Sequence, residues 1–79
     1  MRVVTAEDVK KDDLLDFNHI KDAVEGQLGI ESEVVSVRVL SVDMSPVKLT
    51  DDSDDEWVSV ELDHMGRILV PAGERLYKR

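Results

Sequence analysis

Apolar and polar positions alternate most cleanly in the second half of the chain. Across Trp57-Val58-Ser59-Val60-Glu61-Leu62-Asp63, the residues Val58, Val60 and Leu62 share one face, the period-two pattern of a half-buried strand. Asp63-His64-Met65-Gly66 reads as a turn in which Gly66 takes positive φ, and Arg67-Ile68-Leu69-Val70 as the returning strand of a hairpin. Pro71 cannot donate to a ladder and Gly73 permits a sharp bend, so Pro71-Ala72-Gly73-Glu74 predicts a tight or 3₁₀ turn before a last strand around Arg75-Leu76-Tyr77-Lys78.

Upstream, the β-branched run from Glu33 to Val42 predicts a central strand long enough to bend around a small barrel, with Val35, Val37 and Val39 on one face. Residues 43–56 then lead to the hairpin. Their acidic part, Asp51-Asp52-Ser53-Asp54-Asp55-Glu56, carries too much like charge to pack and predicts an exposed loop.

In the N-terminal third, Ile20, Ala23, Val24 and Leu28 fall at helical spacing, which predicts a helix over 18–28 capped by Asn18 and ended by Gly29. Thr5-Ala6-Glu7-Asp8 resembles a capping box that opens one short turn, and Leu14-Leu15-Asp16-Phe17 reads as the first strand. A longer helix from Ala6 to Asp16 is the rival. Asp12-Asp13 in its middle and the missing apolar period weigh against it.

Length turns these elements into one domain over 1–79, since so short a chain supports a single modest core. With no cysteine, neither disulfides nor a thiolate zinc site adds to that core. No apolar run approaches the roughly 20 residues of a membrane span, and the opening residues lack the apolar stretch of a secretory signal. The expected location is the cytoplasm. A net charge of -8 repels phosphate backbones, so direct nucleic-acid binding is not expected and a partner with a basic surface suits the balance better.

The chemistry-bearing residues are few. His19 and His64 are the two histidines, one at a helix start and one in a turn, where solvent-facing polar residues are expected anyway. Most carboxylates sit in runs where solvation keeps them ordinary acids, unlike the buried acid of general catalysis. The run from Asp51 offers alternating oxygen ligands, but Glu56 and Leu62 stand where a calcium loop needs glycine and a bidentate acid. Gly26 and Gly29 follow no strand, so no phosphate loop is present. Arg67, Arg75, Lys78 and Arg79 with Tyr77 form a basic cluster in the sequence, a thin basis for a single-strand stacking platform. Neither an enzyme nor a cofactor or metal site is expected. The candidate partner-binding residues are Asp51, Asp52, Asp54, Asp55, Glu56 and Trp57, acidic steering groups beside an aromatic anchor.

Two stretches carry a resemblance: Val4-Thr5-Ala6-Glu7-Asp8-Val9-Lys10-Lys11-Asp12-Asp13-Leu14-Leu15, and Trp57 to Leu62 leading through Gly66-Arg67 to Val70-Pro71-Ala72-Gly73-Glu74-Arg75-Leu76. Together they resemble the two ends of small SH3-like β-barrel proteins, many encoded by actinobacterial phages. The resemblance implies that the first stretch turns into strand one, the second forms the last hairpin, and the proline-alanine segment is the 3₁₀ turn before the final strand. It covers about half the chain and carries no catalytic or cofactor residue. The chain departs from the pattern where Asp12 replaces the glycine that precedes the aspartate, and where the helix 18–28 interrupts the early strands.

The expected architecture is therefore mainly β: a small, partly open, five-stranded antiparallel SH3-like barrel with one inserted helix. The alternative is an α+β domain with N-terminal helices on a three- or four-stranded antiparallel sheet. The expected function is a non-enzymatic protein-binding module, a phage product acting on a host protein in the host cytoplasm. Two other functions fit the composition: an acidic nucleic-acid mimic that inhibits a DNA- or RNA-binding factor, and a structural virion component.

Overall fold

The computed structural model describes residues 2–47 and 56–79. Within them the chain is mainly β, with antiparallel strands in one open sheet and one α-helix. The strands are β1 (Arg2–Thr5), β2 (Leu14–Asp16), β3 (Ser36–Val47), β4 (Trp57–Leu62), β5 (Gly66–Pro71) and β6 (Arg75–Lys78), and the helix α1 is Lys21–Leu28. Their order across the sheet is β1-β6-β2-β3-β4-β5.

Among the described residues the sheet holds six strands, one more than expected. The addition is β1, which pairs with β6 from Arg2↔Lys78 to Thr5↔Arg75. Too short to display a period, β1 owes its extended form to pairing with a strand at least seventy residues away. The strand expected at Leu14 is thus β2, and it ends at Asp16 because Phe17–His19 turns into a 3₁₀ segment.

The helix is shorter than the predicted 18–28. Asn18 lies in the 3₁₀ turn and caps nothing; its N–H instead donates to the Asp16 carboxylate at 3.1 Å. The N-cap position falls to Ile20, whose side chain makes no capping bond. Gly29 ends the helix as expected, at φ 65°, where its N–H donates to Glu25 O at 3.0 Å.

Two expectations about the central strand change. Val35 precedes β3 and is 57% exposed, while Val37 and Val39 are buried, because the ladder with β2 starts only at Asp16↔Ser36. The strand also runs on to Val47, so residues 43–47 of the expected loop are strand, held to β4 through the register shifts at Val39/Ser41 and Asp43/Val47. Such irregularities increase local twist, which lets one long strand serve β2 at one end and β4 at the other.

The core is one cluster. Val58, Val60 and Leu62 of β4, Ile68 and Val70 of β5, and Leu76 of β6 meet Leu15, Phe17, Val37 and Val39, with Ile20 and Val24 added by the helix. On the outer face Ser59 is buried, because Arg67 lies over it, donating to Ser59 Oγ at 3.0 Å and to Glu61 Oε2 at 3.2 Å. Ser41 Oγ donates to the same Glu61 oxygen at 3.1 Å, which ties β3, β4 and β5 together in a polar row. No buried side-chain nitrogen or oxygen among the described residues lacks a partner. Nor does any helix among them have the length and apolarity to cross a membrane.

The turn before β2 bears on the departure at Asp12. Lys10 to Asp13 closes a four-residue turn, with Asp13 N–H donating to Lys10 O at 3.2 Å and Asp12 at φ 72°. A type II turn needs positive φ at its third residue, a position glycine fills without strain. Asp12 therefore keeps the turn and adopts the glycine conformation itself. Asp13 reinforces it by accepting the Lys10 N–H at 2.9 Å on its carboxylate.

Candidate functional site

The described residues contain a hollow of about 330 Å³ where α1 meets β5 and the turn into β6. Its lining is apolar: Ile20, Val70 and Leu76 are buried there, and Ala23, Trp57, Leu69 and Pro71 are half-buried. Exposed polar residues rim it, namely His19, Asp22, Gln27 and Glu74.

Three local features shape this hollow. Trp57 starts β4 opposite Pro71, so the indole stands beside a ring that ends β5 and cannot extend its ladder. The Pro71-Ala72-Gly73-Glu74 turn is closed by Glu74 N–H donating to Pro71 O at 3.0 Å, which places Glu74, an exposed residue, at the rim. The helix is fixed to the strand by Gln27, whose amide donates from Nε2 to Leu69 O at 2.9 Å and accepts the Leu69 N–H at 2.8 Å.

Chemically, the hollow offers an aromatic and aliphatic lining with carboxylates at the rim. Such a combination receives a side chain that has an apolar stem and a cationic head, since lysine and arginine bury their methylenes while the charge stays at the surface. Glu56 is exposed next to Trp57, and its carbonyl accepts from Ala72 N–H at 2.9 Å.

Of the residues singled out from the sequence, Trp57 lines this hollow and Glu56, which precedes it, does not, whereas Asp51, Asp52, Asp54 and Asp55 lie outside the described residues. The cation-loop reading of Asp51 to Glu56 falls mostly outside them as well. Among the described residues no group of three or more potential metal ligands comes together.

The basic cluster of the sequence is dispersed by the fold. Arg67 belongs to the Glu61 row, Lys78 Nζ is 3.1 Å from Asp13 Oδ1, and Arg79 is 3.8 Å from Asp16. Tyr77 is already stacked on His19, with ring centroids 3.8 Å apart, so that face of the phenol is filled by the chain itself. His64 is on the far turn, its side chain 92% exposed beside Asp63.

Sequence reasoning missed Asp22, Gln27 and Glu74. Asp22 and Glu74 read as ordinary surface acids, and only the return of α1 onto β5 sets them around one opening. Compared with protein-family models, curated proteins and solved structures, the chain matches none.

Proposed function

We propose that this chain is a non-enzymatic protein-binding module, built on a partly open SH3-like barrel, that docks on a partner with a basic surface. The observation that carries the reading is the apolar hollow at Trp57 with Asp22 and Glu74 at its rim. A lysine or arginine of the partner enters it, its stem against Trp57, Ala23 and Leu69 and its head toward the two carboxylates. The net charge of -8 steers such a partner from a distance, while the buried contact sets the lifetime of the complex.

Strand order supports the barrel. The run β6-β2-β3-β4-β5 has the last strand beside the first strand of the resemblance and one long strand shared between two halves. In this reading β1 and α1 are additions to the barrel, and α1 supplies one wall of the site. The resemblance suggests a phage product acting on a host protein.

Trp57 is the single tryptophan, so its fluorescence reports the site directly. Titration with short arginine- and lysine-containing peptides should shift the emission, and Asp22→Lys with Glu74→Lys should abolish the response. Neutral and acidic peptides of equal length are the controls. Equal responses to all of them, or none to any, would remove the reading.

A further inference from the structure

The two outer strands of the sheet are finished differently. Along β5 the backbone groups that face away from β4 belong to Arg67, Leu69 and Pro71, because Ala72 N–H binds Glu56 O and the alternation runs back from that pair. Leu69 is taken at both its N–H and its C=O by Gln27. Pro71 has no N–H, and its carbonyl accepts from Glu74. The Arg67 side chain is turned back over Ser59 and Glu61 of β4, so closure along this edge rests on Gln27 and Pro71. Side-chain pairing, proline and charge are the means by which proteins close a sheet edge to further strands.

On β1 neither a side-chain amide nor a proline takes the outward backbone groups, and its one charged residue, Arg2, turns its own backbone groups inward. Ala6 N–H donates to Glu74 O at 2.9 Å, and the register with β6 then turns the groups of Arg2 and Val4 inward and those of Val3 and Thr5 outward. Neither outward N–H has a partner among the described residues. Val3 is 51% exposed, and no proline or register shift interrupts the strand.

We propose that β1 pairs with β1 of a second copy of this chain, antiparallel about a two-fold axis at Val4, so that the two sheets become continuous. In that register Val3 of each copy lies opposite Thr5 of the other, and each of these pairs exchanges both of its N–H···O=C bonds. The strand is thus complementary to itself in its outward groups.

Charge argues for a second copy over an arbitrary strand. The same register carries the exposed Arg2 of one copy toward the start of the other copy's 3₁₀ turn (Ala6–Asp8), where Glu7 and Asp8 are exposed. Symmetry makes this contact twice. The net charge of -8 on each copy opposes approach, and so short a ladder buries well under the roughly 1,200 Å² of a standard interface. The dimer is accordingly weak, with a dissociation constant roughly micromolar or higher.

Sedimentation velocity of the full chain over a rising concentration series at physiological salt tests this. The mass should move from monomer to dimer. Thr5→Pro removes the outward N–H at a residue whose φ is already -81°, near that of proline, and leaves the β6 ladder intact. It should weaken association by about tenfold or more, with the fold checked through the near-ultraviolet circular dichroism of Trp57. Should that variant fail to fold, charge reversal decides: Arg2→Glu should weaken the dimer, and Arg2→Glu combined with Glu7→Arg should restore it. A wild-type chain that stays monomeric throughout would overturn the proposal, as would folded Thr5→Pro or Arg2→Glu dimerising as tightly as the wild type.

Discussion

The amide of Gln27 binds the backbone of Leu69 twice, giving a proton from Nε2 at 2.9 Å and taking one at Oε1 at 2.8 Å. A side chain here substitutes for a seventh strand. The pair spans 42 residues and joins the helix to the outermost strand, so it closes one wall of the Trp57 hollow and seals the β5 edge.

Gln27→Ala should therefore cost about 1 kcal/mol, the net worth of exposed neutral hydrogen bonds. Gln27→Glu keeps the shape and loses the donor, so it should cost a similar amount at neutral pH. Urea unfolding would give both values. The alanine variant should also aggregate faster when stirred, because the Leu69 groups become available to another strand. A free energy unchanged in both variants would mean that the helix is held by Ile20 and Val24 alone.

A stabilising change is expected at Asp12. Its φ of 72° costs an ordinary residue about 1 to 2 kcal/mol, less for aspartate, while glycine loses about 0.5 to 1 kcal/mol more backbone entropy on folding. Asp12→Gly should raise stability by about 0.5 kcal/mol, aided by the loss of a charge next to Asp13. The denaturation midpoint should rise at unchanged slope. Asp12→Val, whose branched side chain tolerates this conformation badly, should lower it.

Both of these sites show how the sequence becomes structure and where it stops being readable. The hairpin of β4 and β5 was legible because a half-buried strand writes its period locally, and Val58, Val60 and Leu62 are all buried. Helix α1 was legible from Ile20, Ala23, Val24 and Leu28, although the 3₁₀ turn at Phe17–His19 consumed its first residues. Strand β1 was not, since four residues carry too little pattern and their partner is β6 at the other end of the chain. Trp57 could be named as an anchor, but its setting depends on Asp22, Gln27 and Glu74, which only tertiary packing gathers. Asp12 was the most informative mismatch: the sequence showed a non-glycine residue at a glycine position, and the turn forms there all the same with Asp12 at positive φ.

The pair formed by Asp13 and Lys78 links the β2 turn to β6 and sets an acid-dependent part of stability. Burial by itself would raise the Asp13 carboxyl, but the Lys10 N–H and the Lys78 ammonium 3.1 Å away outweigh it and hold the group below its ordinary range. A carboxyl whose folded pKa is depressed contributes stability that is fully present above the unfolded value near pH 4 and is lost as pH falls through the lower folded value. Lys78→Met should shrink that contribution, so the stability difference between the variant and the wild type should narrow below about pH 4. Unfolding free energies measured from neutral to acid pH would check it; a constant difference across the range would place the effect of Lys78 in packing.

At the Trp57 hollow, rim charge and buried contact should separate in kinetics. Asp22 and Glu74 are exposed, and exposed charges act mostly during encounter, across a Debye length of about 8 Å at physiological salt. Asp22→Asn with Glu74→Gln should slow association with an arginine-rich protein surface and flatten its salt dependence, while dissociation changes less. Trp57→Ala removes contact area within the hollow, so it should hasten dissociation and leave the encounter rate nearly unchanged. Truncating an anchoring tryptophan costs about 2 kcal/mol or more of binding energy, equivalent to roughly thirtyfold in lifetime. Because Trp57 also packs on the β5 end opposite Pro71, the fold of the alanine variant has to be verified by hydrogen exchange at Val58 and Val60, which should stay protected. If the alanine variant keeps that protection and still dissociates at the wild-type rate, the indole serves only to cover Pro71, and the partner surface lies elsewhere on the sheet.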